Sequence, residues 1–145
     1  MTGIVVDASV AAKWVLPRAN ESFVDQATDL LRRHISGEIR IVVPDLFWAE
    51  LGNVLCTATR VGRCTKADAI AGLNFVREYD FQSLPSSALI EEALEIAIAY
   101  GQTVYDALYV ALAVTSKCQF VTADDKLVRA LAPHLPVKAV ATFVV

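Results

Sequence analysis

Five short runs of β-branched and apolar residues limit what this chain can fold into. Gly3-Ile4-Val5-Val6, Ile39 to Val43, Phe81 to Leu84, Gln119 to Thr122 and Val137 to Val140 are each of strand length, and longer stretches with helical spacing separate them. Strands that alternate with helices pair in parallel, since every return needs a crossover, and the crossovers lie on both faces of the sheet. The expected fold is α/β, with a central, mostly parallel sheet. In such sheets the chemistry sits beyond the carboxyl ends of the strands, so the residues just after each run matter most.

Punctuation residues divide the intervening stretches. Val10 to Leu16 reads as a helix stopped by Pro17, and Glu21 to Ile35 as one that ends near Gly37. Asp45 begins a helix to about Arg60, and Thr65 caps another through Asp68 to Glu78. Ser86 starts a helix that Gly101 ends, Thr103 starts the next, to Lys117, and Asp124 to Leu131 forms a short last one. With 145 residues and no linker, repeat or low-complexity stretch, a single domain over 1–145 is expected.

Apolar residues make up 55% of the chain and charged residues 20%, an apolar excess that a domain this small has little interior to hide. Burial of apolar surface against a second copy or another protein is expected. Charges interrupt the longest apolar runs well short of the roughly 20 residues a membrane span needs. No leader pattern opens the chain, so a cytoplasmic location is expected. Cys56, Cys64 and Cys118 lack CxxC spacing, which argues for free thiols over zinc ligands. A net charge of −3 excludes a broad basic surface of the kind that coats DNA.

Four acids stand out. Asp7 and Asp124 each follow a strand and precede a helix; taken singly, each reads equally as a turn or helix cap, and Asp125 competes with Asp124 for that duty. Glu50 shares a helix face with Leu46, Asn53 and Val54. A carboxylate on such a core-facing stripe needs a salt-bridge partner or a cation. Asp106 is the sole charge between Val104 and Val114, in a segment apolar all round; its spacing from Thr103 also suits a capping box. Four carboxylates converging at about 5 Å would repel by roughly 3 kcal/mol per ionised pair at an effective dielectric near 20. Such a cluster takes up protons or binds a cation, and hard oxygen ligands select Mg²⁺ or Mn²⁺.

The segments Val5-Val6-Asp7-Ala8-Ser9, Pro44-Asp45-Leu46 through Ala49-Glu50-Leu51 to Asn53, Tyr105-Asp106-Ala107-Leu108-Tyr109-Val110-Ala111-Leu112-Ala113 and Val121-Thr122-Ala123-Asp124 resemble, in order and spacing, those of the PIN-domain nucleases. Within that family the chain is most similar to the VapC-type toxins of prokaryotic toxin–antitoxin pairs, and Lys13-Trp14-Val15-Leu16-Pro17 looks like one subgroup of them. The resemblance implies a three-layer α/β/α fold. It implies that Asp7, Glu50, Asp106 and Asp124 are the metal-binding, catalytic acids, with Ser9, Asn53 and Thr122 as supporting polar groups. It further implies a Mg²⁺- or Mn²⁺-dependent endoribonuclease, an RNA substrate, a small cognate antitoxin and a homodimer.

Lys13, Arg18, Lys126 and Arg129 follow the two strand-end acids and are candidates for RNA-phosphate contacts, against an ordinary role as solvated surface charge. Nucleophilic catalysis through Ser9 lacks a histidine partner, because His34 and His134 lie in unrelated segments. A haloacid-dehalogenase-like phosphatase needs a second Asp where this chain has Ser9, and a receiver domain explains neither Asp106 nor Glu50. The remaining alternative is a non-catalytic PIN-like module that acts through protein or RNA contacts.

Overall fold

The computed structural model describes residues 2–143; residues 1, 144 and 145 of the expected 1–145 domain lie outside the described residues. Five strands form one sheet: β1 (Thr2–Val6), β2 (Ile39–Pro44), β3 (Gln82–Leu84), β4 (Gln119–Thr122) and β5 (Val137–Ala139), in the order β3-β2-β1-β4-β5. Every pairing is parallel. Val5 aligns with Val42 on one side and Phe120 on the other. Ile4, Val5 and Val6 are all buried although successive strand residues point to opposite faces, so both faces of the sheet are covered.

Among the described residues, seven α-helices supply that cover: α1 (Ala8–Val15), α2 (Val24–Ser36), α3 (Leu46–Arg60), α4 (Lys66–Arg77), α5 (Ile90–Tyr100), α6 (Val104–Thr115) and α7 (Asp125–Leu131). α1 packs with α2, α3 and α4, whereas α6 crosses β1, β2 and β4 and carries α5 outside it. That location explains the uninterrupted apolar sequence of α6, in which Ala107 through Ala113 are all buried. Gly37 and Gly101 end α2 and α5 in the left-handed conformation, at φ 83° and 65°. Thr65 closes a complete capping box with Asp68.

Two expected helices are shorter than their spacing suggests. The stretch from Ser86 to Tyr100 divides into a single 3₁₀ turn, Ser86–Ala88, and α5. Asp45 is the cause: its Oδ1 accepts from the Ser86 hydroxyl and from the Ser86 backbone N at 3.0 Å, pinning that turn to the start of α3. The helix expected from Glu21 begins at Val24, because Phe23 is left-handed (φ 55°) and Glu21 is drawn inward by Lys13 and Arg63. Among the described residues, no single helix is long and apolar enough to cross a membrane.

Candidate metal-binding pocket

The strand order places the site. From β1 the chain builds outward through β2 and β3, then returns across β1 to form β4 and β5. The order therefore reverses between β1 and β4, and the crevice beyond their carboxyl ends is where a doubly wound sheet accommodates a ligand. Asp7 leaves β1 at that point, and Thr122, the last residue of β4, lies beside it.

Asp7 is the most constrained of the four acids. Its Oδ1 accepts from the Ser9 hydroxyl and from the backbone N–H groups of Ser9 (3.1 Å) and Val10 (3.3 Å), which caps α1. Its Oδ2 accepts from the Thr122 hydroxyl at 2.6 Å. The same two hydroxyls accept in turn from the other strand end: Ser9 Oγ from Ala123 N at 3.0 Å and Thr122 Oγ1 from Asp124 N at 3.1 Å. Ser9 and Thr122 thus join the two strand-end acids into one network. Burial pushes the Asp7 carboxyl up to about 6, against the lowering effect of these hydrogen bonds, and the Glu50 charge adds to the rise.

Glu50 reaches the crevice from α3 and Asp106 from the first turn of α6. Glu50 has no arginine partner; its Oε1 accepts instead from the hydroxyl of Tyr109, a buried residue one turn beyond Asp106. Asp106 forms half of a capping box, its backbone N donating to Thr103 Oγ1 at 3.1 Å. Burial first, then the Asp106 charge, holds Glu50 above the ordinary carboxylate range; burial first, then the Asp124 charge, does the same for Asp106. Burial followed by the bond to Glu50 raises the Tyr109 hydroxyl, which stays a donor. Asp124 caps α7, its Oδ1 accepting from Leu127 N at 3.1 Å; Asp125 is the first residue of that helix.

The four carboxylates line one cleft of about 480 Å³, together with Ser9, Asn53 and Tyr105. Among the described residues, no lysine or arginine lines it. Each acid feels the charge of the next: Asp7 that of Glu50, Glu50 that of Asp106, Asp106 that of Asp124. Among the described residues, no three acidic, histidine or cysteine side chains stand close enough together to hold an ion. As a donor set the four carboxylates suit a hard cation: oxygen ligands alone, negatively charged, and partly desolvated.

A profile of the PIN domain matches residues 4–131. The chain belongs to the PIN domain family. No curated protein matches it. Among solved structures this PIN domain is similar to PAE2754 from Pyrobaculum aerophilum, with 26% identity over 97% of this chain and 85% of that one and a TM-score of 0.70. It also resembles VapBC2 from Rickettsia felis bound to a DNA fragment from its promoter, at 13% identity, 95% and 98% coverage and TM-score 0.65. A third is Mycobacterium tuberculosis VapC20, a sarcin–ricin-loop-cleaving toxin, at 17% identity, 91% and 95% coverage and TM-score 0.63. At such identities the last two speak for the fold alone.

The candidate cations are placed differently from one another. Lys126 and Arg129 are exposed on α7, the helix that Asp124 opens. Arg18 is exposed and paired with Asp25 at 2.7 Å. Lys13 is 7% exposed, and its ammonium pairs inside the fold with Glu21 at 3.3 Å, away from the cleft. This internal pair engages the Lys13 ammonium, because the largely desolvated Glu21 carboxylate needs cations beside it. Sequence reasoning assigned no role to Tyr109 or Tyr105. The signal was present for Tyr109, a polar tip in an otherwise apolar interior helix, since such a tip requires a partner.

Proposed function

We propose that this PIN domain is a Mg²⁺- or Mn²⁺-dependent endoribonuclease, the toxin of a toxin–antitoxin pair. The carrying observation is the cleft in which Asp7, Glu50, Asp106 and Asp124 meet without a lysine or arginine in its lining. Membership of the PIN family and the likeness to VapC folds support the reading. A divalent ion bound there supplies Lewis acidity and an activated water. The chain's own groups hold the arrangement: Ser9, Thr122 and the α1 N-terminus orient Asp7, while Asp106 and Asp124 sit in or at the first turns of α6 and α7, where helix dipoles favour negative charge. Asn53 supplies a neutral polar group on the cleft wall. Lys126 and Arg129 position RNA phosphates, and exposed Tyr105 gives an unpaired base a face to stack on.

The antitoxin is a small protein with an amphipathic segment and a basic residue. A groove between α3 and α4, with Leu55, Ala69, Ile70 and Leu73 on its apolar walls and Thr59, Arg60 and Lys66 beside them, suits such a segment. Because α3 also carries Glu50 and Asn53, a chain lying there passes the acidic cleft. The homodimer rests on the exposed apolar face of α5.

The test uses a pool of tRNA and rRNA with Mg²⁺ or Mn²⁺, with EDTA, and with Asp7→Asn and Asp106→Asn. Cleavage that requires the ion and falls on the order of 100-fold or more in both variants is expected. A folded protein that binds no divalent ion and cleaves nothing is instead the non-catalytic PIN module.

A further inference from the structure

Tyr109 occupies an unusual position for a polar side chain. Its residue is 1% exposed, and its ring lies nearly parallel to that of Phe120 (13°, centroids 5.3 Å apart). Phe120 belongs to β4, two residues before the Thr122 that binds Asp7. The ring is thus wedged between α6 and the central sheet, behind the cleft lining, and its hydroxyl donates to Oε1 of Glu50, which does line the cleft. Among the described residues, Glu50 Oε2 accepts no hydrogen bond. One oxygen of Glu50 is therefore anchored from within the core and the other is left for the cleft. α6 does two things one turn apart: it brings Asp106 to the cleft and holds Glu50 through Tyr109.

We infer that Tyr109 is a positioning residue, whose hydroxyl fixes the Glu50 carboxylate so that a single oxygen faces the divalent ion. This rests on the metal-dependent reading of the same cleft. A tyrosine suits the task because a buried, stacked ring has little rotamer freedom and a phenol is a single directional donor. Outer partners of this kind tune a ligand without touching the ion. Phenylalanine keeps the ring and the stacking and removes only the donor.

Mn²⁺ titration by calorimetry tests this on four proteins: wild type, Tyr109→Phe, Glu50→Gln and the double variant, each with its unfolding midpoint measured in EDTA. Tyr109→Phe is expected to weaken Mn²⁺ binding by about 10-fold in the wild-type background. In the Glu50→Gln background it should change binding by less than about 2-fold, because the ligand through which Tyr109 acts is already lost. Equal weakening in both backgrounds, or unchanged binding in Tyr109→Phe, overturns the positioning role while leaving the metal site in place. A wild type that binds no Mn²⁺ overturns the metal reading itself.

Discussion

Asp7 has three partners that favour its charge and an environment that does not. The α1 N-terminus and two hydroxyls stabilise the carboxylate, yet burial wins and lifts its titration to about 6. Thr122 is the more informative of the hydroxyls because it bridges Asp7 and the backbone of Asp124. Thr122→Val keeps the shape of the side chain but leaves a buried carboxylate oxygen with no donor. It should destabilise the chain by about 1–3 kcal/mol and raise the Asp7 titration further, measured by urea unfolding and by NMR titration of the carboxyl carbon. At this scale the acids themselves were readable as charges in apolar or strand-end settings. Of their partners, Ser9 and Thr122 came only with the family resemblance and Tyr109 not at all, because they meet the acids across 2 to 115 positions of sequence and a hydroxyl carries no signal of its own until its neighbours are known.

Among the elements, helix ends were the most legible feature. Gly37, Gly101 and the Thr65–Asp68 box announce themselves by local chemistry, which operates within one turn. The start of α5 was not legible, since the Asp45–Ser86 contact that displaces it spans 41 residues. The same holds for the tie between α1, the approach to α2 and the turn after α3: Glu21 there accepts from Lys13 at 3.3 Å and Arg63 at 2.7 Å. Lys13→Met should cost about 1–3 kcal/mol, less than the roughly 3–5 of breaking an isolated buried pair, because Arg63 still answers Glu21. The salt dependence of RNA binding should not move in that variant, whereas it should weaken in Lys126→Ala. A reduced salt slope for Lys13→Met would restore it as a phosphate contact.

For the molecule as a whole, the raised acids dictate an unusual response to pH. Asp7, Glu50 and Asp106 all titrate above their ordinary values in the fold, so folding favours their protonated forms. For Asp7 the ionisation penalty is absent below about pH 4, grows as pH rises toward about 6 and amounts to about 3 kcal/mol; Glu50 and Asp106 add to it in the same direction. Asp29 runs the other way: burial pushes it up, but Arg32 and Arg33 outweigh burial and hold it low, so its contribution is lost on acidification below about pH 4. In EDTA, urea unfolding should therefore show a stability maximum near pH 4, with a decline toward pH 7 that saturating Mn²⁺ removes. A metal-free profile flat from pH 4 to 7 would mean that the cleft acids ionise freely. The proposed homodimer is tested at the same scale. Ile90, Leu94 and Ile98 form one face of α5 at 46%, 49% and 76% exposure, so Ile98→Glu should be monomeric in sedimentation equilibrium where the wild type is dimeric, with the proposed RNA cleavage unchanged.

From the sequence alone came the strand–helix alternation, the parallel sheet, the helix stops and the four acids, because periodicity, capping and the cost of a lone charge in an apolar run all act over a few residues. Only the tertiary structure decided that β4 returns beside β1, which brings residues 7 and 124 to one edge, and that Glu50 is held by a tyrosine and not an arginine. It also decided that Lys13 faces inward. These are choices among partners of equal local merit, settled by which surfaces meet when the core closes.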